Sequence, residues 1–557
     1  MASTDIRIAR KDQMFPQLTA AQIARLEPHG KHLVMRKGEV LIEPGERGYA
    51  FLVVLSGAVE IVRPGLTGEE LVVVHRPGHF VGEMSSLRGA AALVRARAAE
   101  DGELLAIDVD HLRAVVQTDS ELSELFMRAF ILRRVGLIGD EGSGGGDAIV
   151  IGSRHCAYTL QVRQFLSRNG FPYQWIDVEN DPSVQDLLDR FHVRLQDVPV
   201  VICHGQTVLR HPSNRELADC LGMNPEIDGK KVRDLVIIGA GPAGLAAAVY
   251  GASEGLDVLV LETHAPGGQA GTSSKIENYL GFPTGISGRA LAGRALTQAT
   301  KFGAAISVAA SAVRLKCEER PYRVETADSG AIETRAIVIA SGAEYRRLAL
   351  QDPERYMGNG VYWAATPLEA RLCQGEEVII VGGGNSAGQA AVFLAGSCRH
   401  VHILVRSSGL SESMSRYLIR RIEESPNITL HTRTEIASLH GAAQLERVTW
   451  RTGTEPKEET HDIRHVFLMT GAVPNTRWLE GCVRLDDKGL VCTGDDLGEA
   501  DLQPAQWRLA RRPYAYETNL PGVFAVGDVR ANSVKRVASA VGEGSACVQA
   551  VHRVLAE

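Results

Sequence analysis

The stretch that decides the fold is Asp234-Leu-Val-Ile-Ile-Gly239-Ala-Gly241-Pro-Ala-Gly244, which runs into an alanine-rich segment. Its unbroken apolar start predicts a buried parallel strand, and the G-x-G-x-x-G pattern predicts a tight turn into a helix. Glycines at such a turn let the backbone approach a pyrophosphate, which the helix N-terminus can bind with its free N–H groups. Eighteen residues beyond Gly244, the next strand ends in Glu262, whose carboxylate can accept hydrogen bonds from a ribose diol. Together these features predict a dinucleotide-binding fold.

A second glycine-rich turn lies about 140 residues further along the chain. The predicted strand Val378-Ile-Ile-Val381 leads into Gly382-Gly-Gly384-Asn-Ser-Ala387, and the strand after that ends in Arg406. A guanidinium can pair with a 2′-phosphate through charge-assisted hydrogen bonds, whereas a carboxylate would repel it. We therefore expect NADPH in preference to NADH here. The alternative is that Arg406 is only a solvated arginine at a strand end.

Two further domains are expected ahead of these turns, because 557 residues are too many for one core. The glycine-rich residues 139–147 carry no side chains able to build a core and predict a flexible linker. Residues 1–138 contain short apolar strands broken by Gly and Pro, followed by an amphipathic helix, which predicts a β-barrel plus helices. Residues 148–225 follow a β-α-β-α-β order, with the second helix expected at 183–191, which predicts a small α/β domain.

Composition and charge limit the partners and the compartment. The chain has 60 basic and 67 acidic residues, a net charge of −7, so no overall field attracts nucleic acid or an anionic membrane. Its nine cysteines show neither a disulfide framework nor a metal-ligand spacing. The N-terminus lacks the apolar core of a secretory signal, and no apolar run is long enough to span a membrane. These features predict a soluble, cytoplasmic protein without a metal.

Several further motifs follow the first glycine turn. They are Pro266-Gly-Gly-Gln269, Ile276-Glu-Asn278-Tyr, Ala340-Ser-Gly-Ala343, Thr470-Gly-Ala-Val-Pro-Asn-Thr476, Phe524-Ala-Val-Gly527-Asp528 and Arg536-Val-Ala538. Together they resemble the low-molecular-weight bacterial thioredoxin reductases, and the likeness covers about 60% of the chain. The resemblance implies two Rossmann-like three-layer α/β domains, with an NADPH domain (354–473) inserted between two halves of an FAD domain (231–350 and 478–557). FAD and NADPH would be the cofactors, and we expect a homodimer.

The resemblance also implies roles for individual residues. Asp528 would bond the ribityl chain of FAD, and the backbone of Arg536–Ala538 would approach the flavin ring. The FAD site would comprise Gly239, Gly241, Pro242, Ala243, Gly244, Glu262, Gly268, Gln269, Asn278, Ser341, Gly342, Gly527, Asp528, Arg536, Val537 and Ala538. The NADPH site would comprise Gly382, Gly384, Asn385, Ser386, Ala387 and Arg406. No catalytic residue follows from the sequence.

The chain departs from this family at its redox-active disulfide. The family carries a C-x-x-C pair just ahead of the NADPH-domain glycine turn, and the matching positions here are Ala364 and Pro367. Neither side chain contains sulfur, so thiol–disulfide exchange cannot occur at this place. Cys373 lies in the same segment, but we expect it to be a small apolar core residue because one thiol forms no intramolecular disulfide.

Residues 148–225 resemble a glutaredoxin. Cys156 stands at the first position of that family's C-x-x-C pair and Thr159 at the second, and Asp197-Val-Pro199 resembles its cis-proline loop. A thiol at the start of a helix, beside Arg154 and His155, could be a nucleophilic thiolate. The alternative is a remnant fold that serves as a spacer. The order of the two folds also resembles the flavoprotein subunit of alkyl hydroperoxide reductases, although this chain lacks both of that subunit's cysteine pairs.

The N-terminal domain resembles a cyclic-nucleotide-binding domain. Pro77-Gly-His-Phe-Val-Gly82-Glu83-Met is similar to the start of that family's phosphate-binding cassette, where Glu83 would bond the ribose 2′-hydroxyl and Gly82 would contribute backbone. The family's phosphate-binding arginine, however, is replaced by Ala92. The domain is therefore either a cyclic-nucleotide site, with Arg88, Arg95 or Arg97 as substitutes, or an assembly domain.

Three functions are compatible with this sequence. The first is an NADPH-dependent FAD oxidoreductase that passes electrons from the flavin directly to a small-molecule or protein acceptor, with regulation by the N-terminal domain. The second is a disulfide reductase that works through Cys156. The third is a redox or nucleotide sensor in which FAD is a bound ligand with slow redox turnover. No motif identifies the acceptor.

Overall fold

The structure is a computed structural model of the chain. It describes residues 11–65, 68–82, 87–138, 148–179, 194, 197–205, 207–327, 330–345, 353–442, 444–453, 457–502 and 507–557. The expected linker at 139–147, the expected helix at 183–191 and Glu83 lie outside these residues. The folds follow the order of the expected domains.

The N-terminal domain is a barrel of two antiparallel four-stranded sheets with flanking helices. Its elements are α1 Lys11–Met14, α2 Ala20–Leu26, β1 Lys31–Met35, β2 Val40–Ile42, β3 Phe51–Ser56, β4 Val59–Gly65, β5 Gly68–His75, β6 Phe80–Val81, β7 Arg95–Ala98, β8 Gly102–Ile107, α3 Val109–Thr118 and α4 Ser120–Ile138. The sheet orders are β1-β8-β3-β6 and β2-β7-β4-β5. Helix α4 closes the barrel because Phe126 packs on Phe51 and Phe80, with ring centroids 4.9 and 5.0 Å away.

The second domain has one mixed sheet of order β10-β9-β11-β12. Its elements are β9 Ala148–Gly152, α5 Ala157–Arg168, β10 Tyr173–Asp177, β11 Val200–Cys203, β12 Thr207–Arg210 and α6 Asn214–Cys220. Strands β9 and β10 are parallel, as expected for two strands joined by a helix. The peptide bond between Val198 and Pro199 is cis, which agrees with the expected cis-proline loop.

The FAD domain is built around a seven-stranded sheet of order β15-β14-β13-β18-β17-β16, with β29 beside β18. Its first half contains β13 Arg233–Ile238, α7 Pro242–Ser253, β14 Val258–Glu262, α8 Gly288–Lys301, β15 Ala305–Val308, β16 Ala312–Lys316, β17 Tyr322–Thr326, β18 Gly330–Ile339 and β19 Ala343–Tyr345. Strands β13, β14, β15, β18 and β29 run parallel to one another, which brings their carboxyl ends to one edge.

The NADPH domain is inserted after β19, as expected. It contains β20 Val361–Tyr362, α9 Pro367–Leu372, β21 Glu377–Val381, α10 Asn385–Ala395, β22 His400–Val405, α11 Arg416–Glu424, β23 Ile428–Thr432, β24 Thr434–His440, β25 Arg447–Thr452, β26 Lys457–His461, β27 His465–Leu468 and β28 Ala472–Pro474. A parallel sheet of order β20-β27-β21-β22-β23 faces the antiparallel sheet β24-β25-β26. Strands β19 and β28 pair with each other, so the chain leaves and re-enters the FAD domain at one place.

The second half of the FAD domain completes its core. It contains α12 Glu499–Leu502, β29 Val523–Ala525 and α13 Val537–Ala556. Helix α13 packs directly against α7, because a Cβ on Gly544 would lie 2.1 Å from the carbonyl oxygen of Ala243. Only glycine permits this approach of the two helices.

The cysteines depart from the sequence expectation in one respect. Cys317, at the end of β16, forms a disulfide with Cys482, although no disulfide framework was expected. The two residues are 165 positions apart, so spacing along the chain could not reveal the pair. The other seven cysteines, all among the described residues, form no disulfide.

Two possible features are absent from the described residues. No helix among them is both long and apolar enough to cross a membrane. No group of three or more His, Cys, Asp or Glu side chains in the same residues could hold a metal ion.

Candidate functional site

The first glycine turn has the shape that a pyrophosphate requires. Gly239 has a φ of +105°, and a Cβ there would lie 2.3 Å from the carbonyl oxygen of Ala340. A Cβ on Gly244 would lie 1.9 Å from the carbonyl oxygen of Gly239, so both positions need glycine. Gly241 is the N-cap of α7 and Pro242 follows it, with no side chain capping the helix. The first N–H groups of α7 are thus available to an anion.

Glu262 lies beside this turn and is buried. One carboxylate oxygen accepts a hydrogen bond from the Ala240 N–H at 2.7 Å, and the other accepts from the N–H groups of His264 at 2.9 Å and Ala265 at 3.1 Å. An ionised carboxylate has about four acceptor sites, so these three bonds leave room for a ribose hydroxyl. Glu262 therefore fits the predicted role and also holds two loops together, which the sequence did not indicate.

The predicted flavin segment crosses the glycine turn closely. A Cβ on Gly268, whose φ is +54°, would lie 3.1 Å from the Cα of Gly241. The side chain of Gln269 donates from Nε2 to the carbonyl oxygen of Ala343 at 2.7 Å. The structure thus brings together three motifs that are far apart in sequence. Asn278 is exposed and lies on a more peripheral part of the same segment.

The two predicted crossings between the domains also contact each other. The hydroxyl of Ser341 donates to the carbonyl oxygen of Asn475 at 2.8 Å. The N–H of Asn475 donates back to the carbonyl oxygen of Gly342 at 3.1 Å. Both crossings therefore lie at the paired strands β19 and β28, next to the flavin segment.

The second FAD motif lies at the N-terminus of α13. The N–H of Gly527 donates to Glu543 at 2.7 Å, and burial raises the pKa of the neighbouring Asp528. Lys535 donates from Nζ to the carbonyl oxygen of Asp528 at 2.7 Å. Arg536 is the N-cap of α13 and no side chain caps the helix. The N–H groups of the first turn of α13, including those of Val537 and Ala538, are therefore available to a flavin ring.

The second glycine turn repeats this design. A Cβ on Gly382, whose φ is +139°, would lie 2.3 Å from the carbonyl oxygen of Met469, and Gly384 is the uncapped N-cap of α10. The residues after α10 and β22 fold back over the turn. The hydroxyl of Ser413 donates to the carbonyl oxygen of Gly383 at 2.8 Å, and the N–H of Ser415 donates to the side chain of Asn385 at 2.7 Å. In the helix itself, Ser386 is exposed and Ala387 is buried.

Arg406 follows the end of β22 and is exposed. It takes part in no ion pair with the residues that the structure describes. Arg399, at the other end of β22, is by contrast engaged in an ion pair with Glu377 at 3.2 Å. An uncompensated guanidinium at this position is suited to a phosphate group.

The place of the family disulfide contains no sulfur. Ala364 is half-buried, Pro367 is exposed, and Thr366 between them caps α9 through a capping box with Glu369. Cys373 ends the same helix, and its Sγ lies 3.6 Å from the Sγ of Cys398. Contact with Cys398, together with burial, raises the pKa of Cys373. This neighbour could not be inferred from the sequence, because the two thiols are 25 residues apart.

The two thiols lie far from the nucleotide turn. Cys398 follows the C-terminal end of α10, whereas the glycine turn lies at its N-terminal end. A helix of 11 residues is about 16 Å long. The pair therefore occupies the opposite edge of the sheet and belongs to the apolar core of the NADPH domain.

Cys156 is the N-cap of α5 and is half-buried. The two cations expected to assist it are engaged elsewhere. Arg154 donates to Asp177 at 2.6 Å, and His155 lies 3.5 Å from a carboxylate oxygen of Glu179. Thr159, at the second cysteine position, is buried against Gly152. The charges near Cys156 are therefore largely balanced.

Helix α5 also connects the two nucleotide-binding domains. In its N-terminal half, Leu160 joins the apolar core of the NADPH domain, and just past the middle Gln164 donates to Glu369 at 2.6 Å. At its C-terminal end, Arg168 donates to the carbonyl oxygen of Gly268 at 3.2 Å, and Asn169 donates to that of His264 at 3.0 Å. The glutaredoxin-like domain thus contacts α9 and the flavin segment at once.

The barrel differs from its expected cyclic-nucleotide site. Gly82 packs against Phe51, since a Cβ there would lie 2.6 Å from the ring. Two of the substitute arginines are engaged with acids: Arg95 donates to Glu43 at 2.8 Å and Arg97 to Glu60 at 2.6 Å. The described cassette therefore offers neither of these guanidinium groups to a phosphate.

Comparison with protein families gives three matches along the chain. Residues 233–544 match the family described as pyridine nucleotide-disulphide oxidoreductase. Residues 32–119 match the cyclic nucleotide-binding domain, and residues 148–208 match glutaredoxin. The three kinds of domain expected from the sequence are thereby confirmed.

Several thioredoxin reductases are similar to the C-terminal part. NADPH-dependent thioredoxin reductase 3 of Arabidopsis thaliana is 30% identical over 368 residues, which are 63% of this chain and 65% of that protein. Thioredoxin reductase of Listeria monocytogenes is 30% identical over 329 residues, 59% of this chain and 95% of that protein. The crystal structure of Lactococcus lactis thioredoxin reductase is similar with a TM-score of 0.52 and 26% identity, covering 58% of this chain and 99% of its own. The T. acidophilum enzyme has a TM-score of 0.51, 26% identity and coverages of 58% and 98%.

The Gly241→Val variant tests the FAD site. A Cβ on Gly241 would meet only the Cα of Gly268, at 4.0 Å, and the backbone φ of −69° suits any residue. We expect a folded protein whose FAD dissociation constant rises by a factor of about ten or more, because the side chain fills the space of the pyrophosphate. Flavin fluorescence titration measures this. The control is Gly293→Val on the exposed side of α8, which should bind FAD normally, and normal FAD binding by Gly241→Val would contradict the assignment.

The Arg406→Ala variant tests the nucleotide preference. We expect the KM for NADPH to rise by about tenfold or more while the KM for NADH stays nearly unchanged, since only NADPH carries the 2′-phosphate. Steady-state kinetics with both nucleotides measure this. Arg399→Ala, at the other end of β22, is the matched control for lost positive charge. Equal changes in the KM values for NADPH and NADH in Arg406→Ala would show that Arg406 does not bind the 2′-phosphate.

Proposed function

Because the chain belongs to the pyridine nucleotide-disulphide oxidoreductase family, we propose that it is an NADPH-dependent FAD oxidoreductase that delivers electrons directly to an external acceptor. At a coarser level it is a flavoprotein oxidoreductase similar to thioredoxin reductases. The observation that carries the finer proposal is that Ala364 and Pro367 occupy the place of the family disulfide. Electrons therefore have no intramolecular dithiol to enter at that place.

The described residues fit both cofactors. The turn at Gly239–Gly244, the carboxylate of Glu262 and the N-terminus of α13 would hold FAD, and the turn at Gly382–Ala387 with Arg406 would hold NADPH. Bound FAD supplies a ring that accepts a hydride and releases electrons. The protein positions the nucleotide through bare backbone at two helix N-termini, where the dipoles stabilise the pyrophosphate charges.

The remaining thiols do not replace the missing pair. Cys373 and Cys398 lie beyond the far end of α10, about 16 Å from the nucleotide turn along the helix. Thiol–disulfide exchange needs direct attack by a thiolate on a sulfur. The contact between the two thiols raises the pKa of Cys373 and lowers the pKa of Cys398, so it is their distance from the nucleotide turn that argues against an exchange role. An acceptor that takes electrons at the exposed edge of the flavin does not need these residues.

A panel of acceptors tests the proposal directly. We expect fast NADPH turnover with quinones, flavodoxin or redox dyes, and little or none with thioredoxin or 5,5′-dithiobis-nitrobenzoate. Steady-state rates for the pure protein measure this. Fast reduction of thioredoxin would overturn the inference drawn from Ala364 and Pro367. Stopped-flow mixing with NADPH tests the sensor alternative. Fast reduction of the bound FAD, followed by its fast reoxidation by an acceptor, would exclude a sensor in which FAD turns over only slowly.

A disulfide reductase acting through Cys156 is the second candidate. It is favoured by helix α5, which begins at Cys156 and ends in contact with the flavin segment. The 12 residues of this helix place the thiol about 18 Å from that contact, however, and a thiol at this separation cannot touch the flavin without a domain movement.

The Cys156→Ser variant separates the two candidates. We expect it to keep the dye and quinone turnover of the wild type within about twofold, since neither reaction involves this thiol. The same assay on Cys220→Ser, another half-buried thiol of this domain, gives the background effect of losing a sulfur. Reduction of 5,5′-dithiobis-nitrobenzoate or thioredoxin by the wild type that is lost selectively in Cys156→Ser would favour the disulfide reductase.

A further inference from the structure

The barrel segment Gly89–Val94, here called the alanine segment, contains Ala92, which stands at the position of the family's phosphate-binding arginine. Ala91 and Ala92 are each only 3% exposed, although the segment lies at the surface of the barrel. It is covered by residues 222–225 of the glutaredoxin-like domain, here called the docking segment. The N–H of Ala91 donates to the carbonyl oxygen of Gly222 at 2.9 Å, and Arg47 donates to the carbonyl oxygens of Gly89 and Asn224. The two segments are therefore joined by backbone contacts.

The fit between these two segments is tightest at Gly222, where an added Cβ would clash, whereas Gly89 lies at ordinary contact distance from Pro225. A Cβ on Gly222 would lie 2.4 Å from the Cβ of Ala91, and a Cβ on Gly89 would lie 3.6 Å from that of Pro225. Leu93 continues the contact by joining an apolar cluster with Met223 of the docking segment. Small residues in the alanine segment thus allow close packing between the two domains.

The backbone donors near Ala92 that a phosphate could use are already bound, two of them within the barrel and one by the docking segment. The N–H of Ala92, which replaces the family's arginine, donates to the carbonyl oxygen of Glu46 at 2.9 Å. The N–H of Gly45 donates in turn to the carbonyl oxygen of Ala92 at 2.9 Å, and the N–H of Ala91 is bound to Gly222. A cyclic phosphate at Ala92 would have to break these bonds and would gain no guanidinium from Arg95 or Arg97.

The docking segment continues into the FAD domain through Asn224. Its side chain is buried and makes two hydrogen bonds with Val308, from Nδ2 to the carbonyl oxygen at 2.9 Å and to Oδ1 from the N–H at 2.7 Å. Val308 is the last residue of the edge strand β15 and pairs in register with Glu262 on β14. The side chain of Asn224 thus pairs with the backbone N–H and carbonyl of Val308 at the edge of the sheet. This place lies beside Glu262, the residue predicted to accept hydrogen bonds from the ribose of FAD.

We propose that the alanine segment is an internal docking surface for the docking segment, and that the barrel acts through Asn224 as a positioning domain for the adenosine side of the FAD site. The barrel takes no cyclic nucleotide at Ala92 in this arrangement. Asn224 acts through Val308, and Arg47 acts through Gly89 and Asn224, so both are positioning residues. This goes beyond the proposed oxidoreductase function and does not depend on the identity of the acceptor.

Two variants on opposite sides of the contact test the proposal by FAD binding. Asn224→Ala leaves the N–H and carbonyl of Val308 without their side-chain partner, and we expect the FAD dissociation constant to rise by about threefold or more. Ala91→Glu places a carboxylate against Gly222, and we expect a rise in the same direction together with faster protease cleavage within residues 139–147. Flavin fluorescence titration and timed proteolysis of the full chain measure both effects.

Matched controls keep the test specific. Val34→Glu adds the same charge to a part of the barrel that is 75% exposed, and Asn427→Ala removes an amide that donates to Ala395 in the NADPH domain. Neither should change FAD affinity. If Ala91→Glu fails to fold by circular dichroism, Arg47→Ala replaces it, since that change only removes the bonds to Gly89 and Asn224.

Two results would overturn the proposal. One is wild-type FAD affinity in Asn224→Ala and in the folded barrel variant. The other is stoichiometric binding of cAMP or cGMP to the full chain in calorimetric titration without any change in proteolysis, because a nucleotide would then occupy the cassette while the domains stay docked.

Discussion

The approach of helices α7 and α13 at Gly544 and Ala243 is the constraint on which the flavin domain depends. Helix α7 has to begin at a bare turn to hold a pyrophosphate, and α13 has to begin at the motif that faces the flavin ring. The two helices can present both N-termini to one ligand only because Gly544 lets them touch. The crossing of Gly268 over Gly241 adds the flavin segment to the same place. These two glycine-dependent contacts thus assemble a site from separate parts of the chain.

The sequence predicted those parts of the site that are encoded locally. The strand, turn and helix at Gly239–Gly244 and at Gly382–Ala387 depend on neighbouring residues, and the structure shows both. The cis bond before Pro199 was likewise indicated by a short motif. The family match confirmed the three kinds of domain, while the exact boundaries and the individual cofactor contacts stay predictions.

The features that the sequence did not predict all depend on contacts across long separations. Cys398 beside Cys373, the disulfide between Cys317 and Cys482, and the bonds of Asn224 to Val308 join residues that no periodicity relates. The same holds for the pairing of Arg154 and His155 with acids, which removes the assistance expected for Cys156. Single residue types at single positions carry no information about such partners until the chain is folded.

Helix α5 has a consequence for the rate of turnover. It is held near its middle by the bond from Gln164 to Glu369 in the NADPH domain and at its C-terminal end by the bond from Asn169 to His264 in the FAD domain. Any rotation of one nucleotide domain against the other must therefore break one of these bonds or carry the third domain along. Where turnover requires such a rotation, α5 has to detach first, and the rate of its detachment then limits the rate of turnover.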